Sequence, residues 1–136
     1  MIEVGLVPPE KVPRLRNALT PLIARLTRLS DDWPIDRVIA EAGAGRLDLW
    51  FGIDGGRLAM VAGCLRQETA SGKPVYWVEF VAGENLGRYG RPILAEIKTF
   101  ARANNARIEA KGRLGWKRWE KHLGLRRKAI IYEVED

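Results

Sequence analysis

One cysteine, one histidine and two methionines in 136 residues leave little room for the chemistry those side chains carry. With Cys64 alone, neither an intrachain disulfide nor a cysteine cage for zinc can form. Its apolar, strand-like surroundings mark a buried structural thiol rather than a nucleophile. His122 lies in a basic stretch, which fits a solvated ring, and no group of His, Asp and Glu has metal-ligand spacing. No uninterrupted apolar run approaches the ~20 residues of a membrane span, and Met1-Ile2-Glu3-Val4-Gly5 carries no basic region leading into an apolar core. The expectation is a single domain over residues 1–136, in a reducing cytoplasm and away from membranes.

What is present is ordinary in amount and uneven in place. Hydrophobic residues make up 46% and charged residues 29%, the balance of a globular chain. The net charge is +6, and the stretch from Arg107 to Lys128 holds nine basic residues against Glu109 and Glu120. That stretch, with Arg113, Lys117, Arg118, Arg126, Arg127 and Lys128, suits a polyanion such as nucleic acid, a phosphorylated cofactor or an acidic protein surface; the plainer reading is a solvated helix face.

Periodicity divides the chain. Ile2 to Val7 is a short β-branched strand closed by Pro8-Pro9. Val12, Leu15, Leu19, Leu22, Ile23, Leu26 and Leu29 then mark one helix face, with a break expected at Pro21. A second helix starts at Pro34 and ends at Gly43 or Gly45. Leu47, Leu49, Phe51 and Ile53 alternate with other residues as a strand does, and Asp54-Gly55-Gly56 is a hairpin turn leading to Arg57–Gln67. Val75–Ala82 is apolar at odd and even positions except Glu79, as a strand buried on both faces requires. A glycine-rich turn, Gly83 to Gly90, precedes a helix from Pro92 to Asn104, a strand from Arg107 to Lys111, a helix bearing Trp116, Trp119 and Leu123 that stops at Gly124, and a strand from Ala129 to Glu135. The fold class is α/β (α+β): order β-α-α-β-β-β-α-β-α-β, an antiparallel meander followed by a βαβ unit.

That order, with a meander leading into a strand, a glycine turn and a helix, resembles the GCN5-related N-acetyltransferase (GNAT) fold. The resemblance implies a sheet that splays after its fourth strand and a turn whose amides hold the pyrophosphate of acetyl-CoA, here Gly83, Gly87, Arg88, Gly90 and Arg91. More narrowly, Leu47-Asp48-Leu49-Trp50 and Gly112-Arg113-Leu114-Gly115-Trp116-Lys117-Arg118 are similar to small GNAT-like proteins of bacteriophage morphogenesis clusters.

The chain departs from the enzymes of that family at three points. The family turn reads Arg or Gln, two residues, Gly, one residue, then Gly or Ala; here the last of those places holds Pro92, which has no N–H to offer a phosphate. The family's acid, a Tyr four residues before the glycine that ends the last helix, is replaced by Glu120, and a carboxylate holds no proton to give at neutral pH. Tyr89 is the candidate replacement. The third is a single closing strand where enzymes carry a hairpin.

Three functions follow, in this order. The first is a non-catalytic structural or assembly protein of a phage virion, without cofactor, whose protein partners meet Trp116, Trp119 and the basic residues around them; those two indoles equally suit simple packing on the sheet. The second is a divergent acetyl-CoA-dependent N-acyltransferase in which Glu79, between Val78 and Phe80, is a poorly solvated general base. The plainer role for Glu79 is a carboxylate paired with an arginine across the sheet. The third is nucleic-acid binding by the basic third of the chain.

Overall fold

Five strands form one mixed sheet in the order β1-β2-β3-β4-β5. The computed structural model describes residues 2–28, 31–112 and 114–135. Strands β1 (Ile2–Leu6), β2 (Asp48–Asp54), β3 (Arg57–Glu68) and β4 (Pro74–Gly83) pair antiparallel, and β5 (Arg107–Ala110) joins β4 in parallel. Helices α1 (Arg16–Thr27) and α2 (Ile35–Gly43) cover one face of the sheet and α3 (Leu86–Ala103) covers the other. The expected meander and βαβ unit are both there. The hairpin between β2 and β3 turns on Gly55 and Gly56, at φ 59° and 76°, where only glycine is free of strain.

Each face is sealed by a stripe that the helical spacing foretells. Leu19, Ile23 and Val38 from α1 and α2 meet Leu49, Val61, Phe80 and Ala82; Ile93, Ile97 and Ala101 from α3 meet Trp50, Tyr76 and Val78. These two clusters expose an irregularity in β4. Cys64 pairs with Val78 and Gly63 with Phe80, so Glu79 is an extra residue opposite no partner, a β-bulge. One inserted residue exchanges the faces of every residue beyond it. Tyr76 and Val78 therefore look toward α3, while Phe80 and Ala82 look toward α1 and α2. Apolar residues at both odd and even positions of β4 are the trace of that switch as much as of two-sided burial.

Several elements lie elsewhere than the sequence suggests. The first helical stretch is 3-10 in form over Pro9–Leu15 and α-helical from Arg16, and it passes through Pro21 without ending. The carbonyl that Pro21 leaves without its helical partner, that of Asn17, belongs to an exposed residue and is open to solvent. Helix α3 begins at Leu86, six residues before Pro92, because Asn85 adopts the left-handed conformation and its side-chain oxygen accepts the Arg88 N–H at 3.1 Å. The last helical region is 3-10 over Leu114–Trp119 followed by the short α4 (Glu120–Leu123), ended by Gly124 at φ 68° as expected. Residues 129–135 are not a strand: they carry no regular structure, since β-branched residues form a strand only against a partner. No helix among the described residues is long and apolar enough to cross a membrane.

One hydrogen bond fastens α3 to the β2–β3 hairpin. The buried Tyr89 donates to Asp54 Oδ2 at 2.7 Å, and Arg88 lies 3.3 Å from the same oxygen. The phenol, and then the guanidinium, hold the Asp54 carboxyl below its ordinary value; the same bond, with burial, pushes the Tyr89 phenol up.

Two predictions follow from this packing. A Cβ on Gly63 would stand 2.3 Å from the ring of Phe80, a core residue with nowhere to move, so Gly63→Ala is expected to cost about 1–3 kcal/mol in urea denaturation. In a Phe80→Leu background the same change should cost much less; equal costs in both backgrounds would refute the clash. For the Tyr89–Asp54 bond, a depressed carboxyl gives stability that is full above the unfolded value of about 3.9 and lost as pH falls through the lower folded value. A raised phenol gives stability that is full below about 10 and lost as pH rises through the higher folded value. The difference in Tm between wild type and Tyr89→Phe should thus form a plateau between about pH 4 and 10 and shrink on both sides; a difference independent of pH would disprove the assignment.

Candidate active site

β5 follows β4 for four residue pairs and then leaves it. The ladder runs from Val75↔Arg107 to Val78↔Ala110, with one further bond from the Lys111 N–H to the Val78 carbonyl at 2.9 Å. Beyond it, among the described residues, Glu79 to Gly83 have no strand on that side. The sheet opens at the bulge, and the open flank of β4 leads over four residues, about 13 Å of strand, to the start of α3.

Glu79 stands where the opening begins, its side chain only 14% exposed. Trp33 Nε1 and Lys111 Nζ each lie 3.3 Å from Oε1, and the Trp77 indole donates to Oε2. Lys111 also reaches Asp32 at 3.5 Å. The cross-sheet partner expected for Glu79 is thus a lysine beyond β5, and two indoles hold the carboxylate as well. A carboxylate has about four acceptor sites; among the described residues three are taken. Sequence gave no sign of Trp33, 46 residues away; the α1–α2 connection brings it over Phe80, with ring centroids 5.6 Å apart.

At the other end of the opening, Gly83 leaves β4 at φ 151°, and a Cβ there would strike the Ala59 carbonyl oxygen at 2.5 Å. Glu84 is held by Arg25 at 2.7 Å and Arg57 at 3.9 Å. The first N–H groups of a helix lack partners one turn back; Asn85 caps that of Arg88, and the first turn of α3 contains no acidic residue. Arg88 is tied to Asp54, and Arg91 is exposed one turn further on. Gly87 and Gly90 are helical, not turn, residues. A Cβ on Gly87 would meet the Trp119 ring at 2.7 Å, and one on Gly90 would meet Leu86 at 2.9 Å and Leu123 at 3.3 Å. Pro92 is the seventh residue of α3, so its missing N–H lies within the helix and outside the phosphate-facing turn.

The region after β5 flanks this helix end. His122 Nε2 lies 3.1 Å from the Gly87 carbonyl, which as an acceptor requires the proton on that nitrogen. Trp116 covers Gly112, and Arg118 lies over the Trp119 ring at 5.1 Å. Glu120 is bound to Arg127 at 2.6 Å, and Lys128 to Glu109. Lys117, Arg118 and Arg126 are exposed, and Arg113 lies outside the described residues. Tyr89 spends its proton on Asp54, which leaves it no free proton to give. Under the sheet a further chain, Trp50 Nε1 to Tyr76 Oη at 2.9 Å and Tyr76 Oη to Asp48 at 2.7 Å, fixes buried polar groups; burial pushes both the Tyr76 phenol and the Cys64 thiol up.

No protein-family model matches the chain, and no curated protein matches it in sequence. Solved structures do match in fold. An aminoglycoside acetyltransferase from an uncultured soil metagenomic sample, in complex with sisomicin, aligns over 98% of this chain and 95% of its own with a TM-score of 0.75 at 7% identity. A ribosomal-protein-alanine N-acetyltransferase from Brucella melitensis biovar Abortus 2308 aligns over 100% and 99%, with a TM-score of 0.74 at 10% identity. A predicted acetyltransferase from Clostridium acetobutylicum, with acetyl-CoA, aligns over 99% and 96%, with a TM-score of 0.68 at 12% identity. The expectation of a non-catalytic virion structural or assembly protein is corrected by these matches, which are to acetyltransferases. The steric argument behind it also fails, because Pro92 stands a full turn and more inside α3. The chain has the GNAT fold, with its sheet opened beside the fourth strand.

Proposed function

We propose that this protein is an N-acyltransferase that uses acetyl-CoA, with Glu79 as its general base. The observation that carries the reading is the coincidence of three features on one strand: the bulge at Glu79, the loss of β5 pairing beyond it, and the helix start at its far end. The match to acetyltransferases, two of them solved with CoA or acetyl-CoA, supports it.

The residues present fit such a cofactor. The first turn of α3 offers amides and the positive end of an 18-residue helix, with Arg91 near, to a diphosphate. The unpaired flank of β4 offers main-chain donors and acceptors to an amide-bearing arm, as a strand edge does to a peptide. Trp119, lying on Gly87, borders the same turn and sets how closely a phosphate can approach. When bound, acetyl-CoA supplies an activated acyl group on a sulfur that leaves as a thiolate of ordinary basicity.

The chain's part is then largely proton handling. Glu79 takes a proton from the acceptor amine, directly or through one water. The indoles of Trp33 and Trp77 hold the carboxylate in one orientation while this happens. Lys111, 3.3 Å from Oε1, holds the carboxylate from the side of β5. Neither Glu120 nor Tyr89 is placed to act as the acid, and a thiolate leaving group needs none.

Calorimetry with acetyl-CoA is expected to show binding, and a panel of primary amines, an aminoglycoside among them, should include one whose acetylation releases free thiol. With that amine, Glu79→Gln should lower kcat by about 10²–10⁴-fold while the KM for acetyl-CoA changes little. Failure of acetyl-CoA to bind would sink the proposal, and an unchanged rate in Glu79→Gln would remove Glu79 from it.

A further inference from the structure

The opening beside β4 already contains a primary amine. Lys111 is the last residue whose main chain reaches β4, and its side chain lies at the point where the two strands part. There Nζ stands 3.3 Å from Glu79 Oε1 and 3.5 Å from Asp32 Oδ2. Two carboxylates from distant parts of the sequence thus hold one amine in one place. At 35% exposed, that side chain is neither sealed in the core nor loose on the surface.

The choice of cation is informative. Of the 23 lysines and arginines only seven are lysines, and most acids that are paired in this structure are paired with arginine. Arginine's planar fork suits a carboxylate better, but it keeps its proton and cannot become a nucleophile. Lysine can. An acceptor amine has to lie within hydrogen-bond reach of its base and about 3–3.5 Å from the carbon it attacks. Lys111 stands beside Glu79 where such an amine would stand, and a thioester positioned for an amine at Glu79 is positioned for Nζ as well.

We propose that Lys111 is a self-acetylation site: when no other amine occupies the opening, the chain takes the acetyl group of acetyl-CoA onto its own Lys111 Nζ. The inference rests on the acetyl-CoA-dependent reading above. Nζ enters as an ammonium and gives up two protons, one to Glu79 Oε1 and one to the departing sulfur. The N–C bond to the acetyl carbon forms and the C–S bond breaks, leaving an amide on Lys111 and the free thiol of CoA. Glu79 then passes its proton to water. The amide is neutral, so the cation that Glu79 and Asp32 share is lost with the step.

The experiment uses the full chain with acetyl-CoA at about 1 mM, the upper end of ordinary KM values, and no added amine. Mass spectrometry should show one acetyl group gained per chain, mapped to Lys111. Its half-time should not change on dilution of the protein, because donor site and acceptor belong to one chain. Glu79→Gln should slow labelling of Lys111 about 10²-fold or more, while the exposed Lys11, Lys73, Lys117 and Lys121 take up acetyl equally slowly in both proteins. Freed of CoA, the modified chain should melt below the unmodified one and together with Lys111→Gln, which also sets a neutral amide between the two carboxylates. Mapping and dilution need no variant, so neither depends on one that folds. Lys111 labelled no faster than the exposed lysines, a half-time that lengthens on dilution, or labelling indifferent to Glu79→Gln would each overturn the proposal. Calorimetry and thiol release with the amine panel separate it from the reading beneath it: binding and turnover with Lys111 unmodified defeat self-acetylation alone, and no binding defeats both.

Discussion

A single extra residue in β4 governs the arrangement of everything that matters here. Pairing Gly63 with Phe80 and Cys64 with Val78 forces Glu79 out of the ladder, bends the strand and turns its faces over. The turnover lets one strand feed two cores, Tyr76 and Val78 to the α3 side, Phe80 and Ala82 to the α1–α2 side. It also leaves a carboxylate lodged between layers, where an ordinary strand would send it to one face or the other. The close approach that makes this possible depends on Gly63, whose missing side chain is the space that the Phe80 ring occupies. A residue with any side chain there would compete with the bulge for the same volume.

Electrostatics in the opening is arranged by neighbours from distant parts of the sequence. Glu79 is met by Trp33 from before α2, Trp77 from its own strand and Lys111 from just past β5. Glu84, the acid nearest the start of α3, is paired with Arg25 and Arg57, which offset the negative charge it would otherwise set beside the positive end of the helix. Much of the basic excess after Arg107 is likewise consumed within the chain: Arg107 and Lys128 share Glu109, Lys111 serves Glu79, and Arg127 serves Glu120. The formal charge of that stretch overstates the field it presents to solvent, and among the described residues the basic side chains left without an ion pair are Lys117, Arg118, Lys121 and Arg126.

The order of strands and helices was legible because each element repeats at its own period and the breaks between them are chemically sharp. Asp54-Gly55-Gly56 and Gly124 mean one thing only, a backbone that must take positive φ. The start of α3 was misread because two glycines and a proline usually signal irregular chain. Here the glycines are helical, their bareness demanded by Trp119 and Leu123 packing across them, a tertiary requirement with no local mark. Asn85 was the local mark, an N-cap residue in its usual place. Of the candidate site, Glu79 was visible as the one polar residue in an apolar run; its companions were not, since a fold alone decides which side chains 46 and 32 residues away arrive beside it. The strand expected over Ala129–Glu135 has the right composition, and composition does not supply a neighbour.

The two indoles that grip Glu79 are among only five in the chain. An indole's emission responds to the charge and the wetness of what its N–H touches, so a protonation, a displacement or an occupant at that carboxylate alters the light the whole protein gives off. The opening beside β4 thus carries its own lamp, and whatever enters it can be watched without a label.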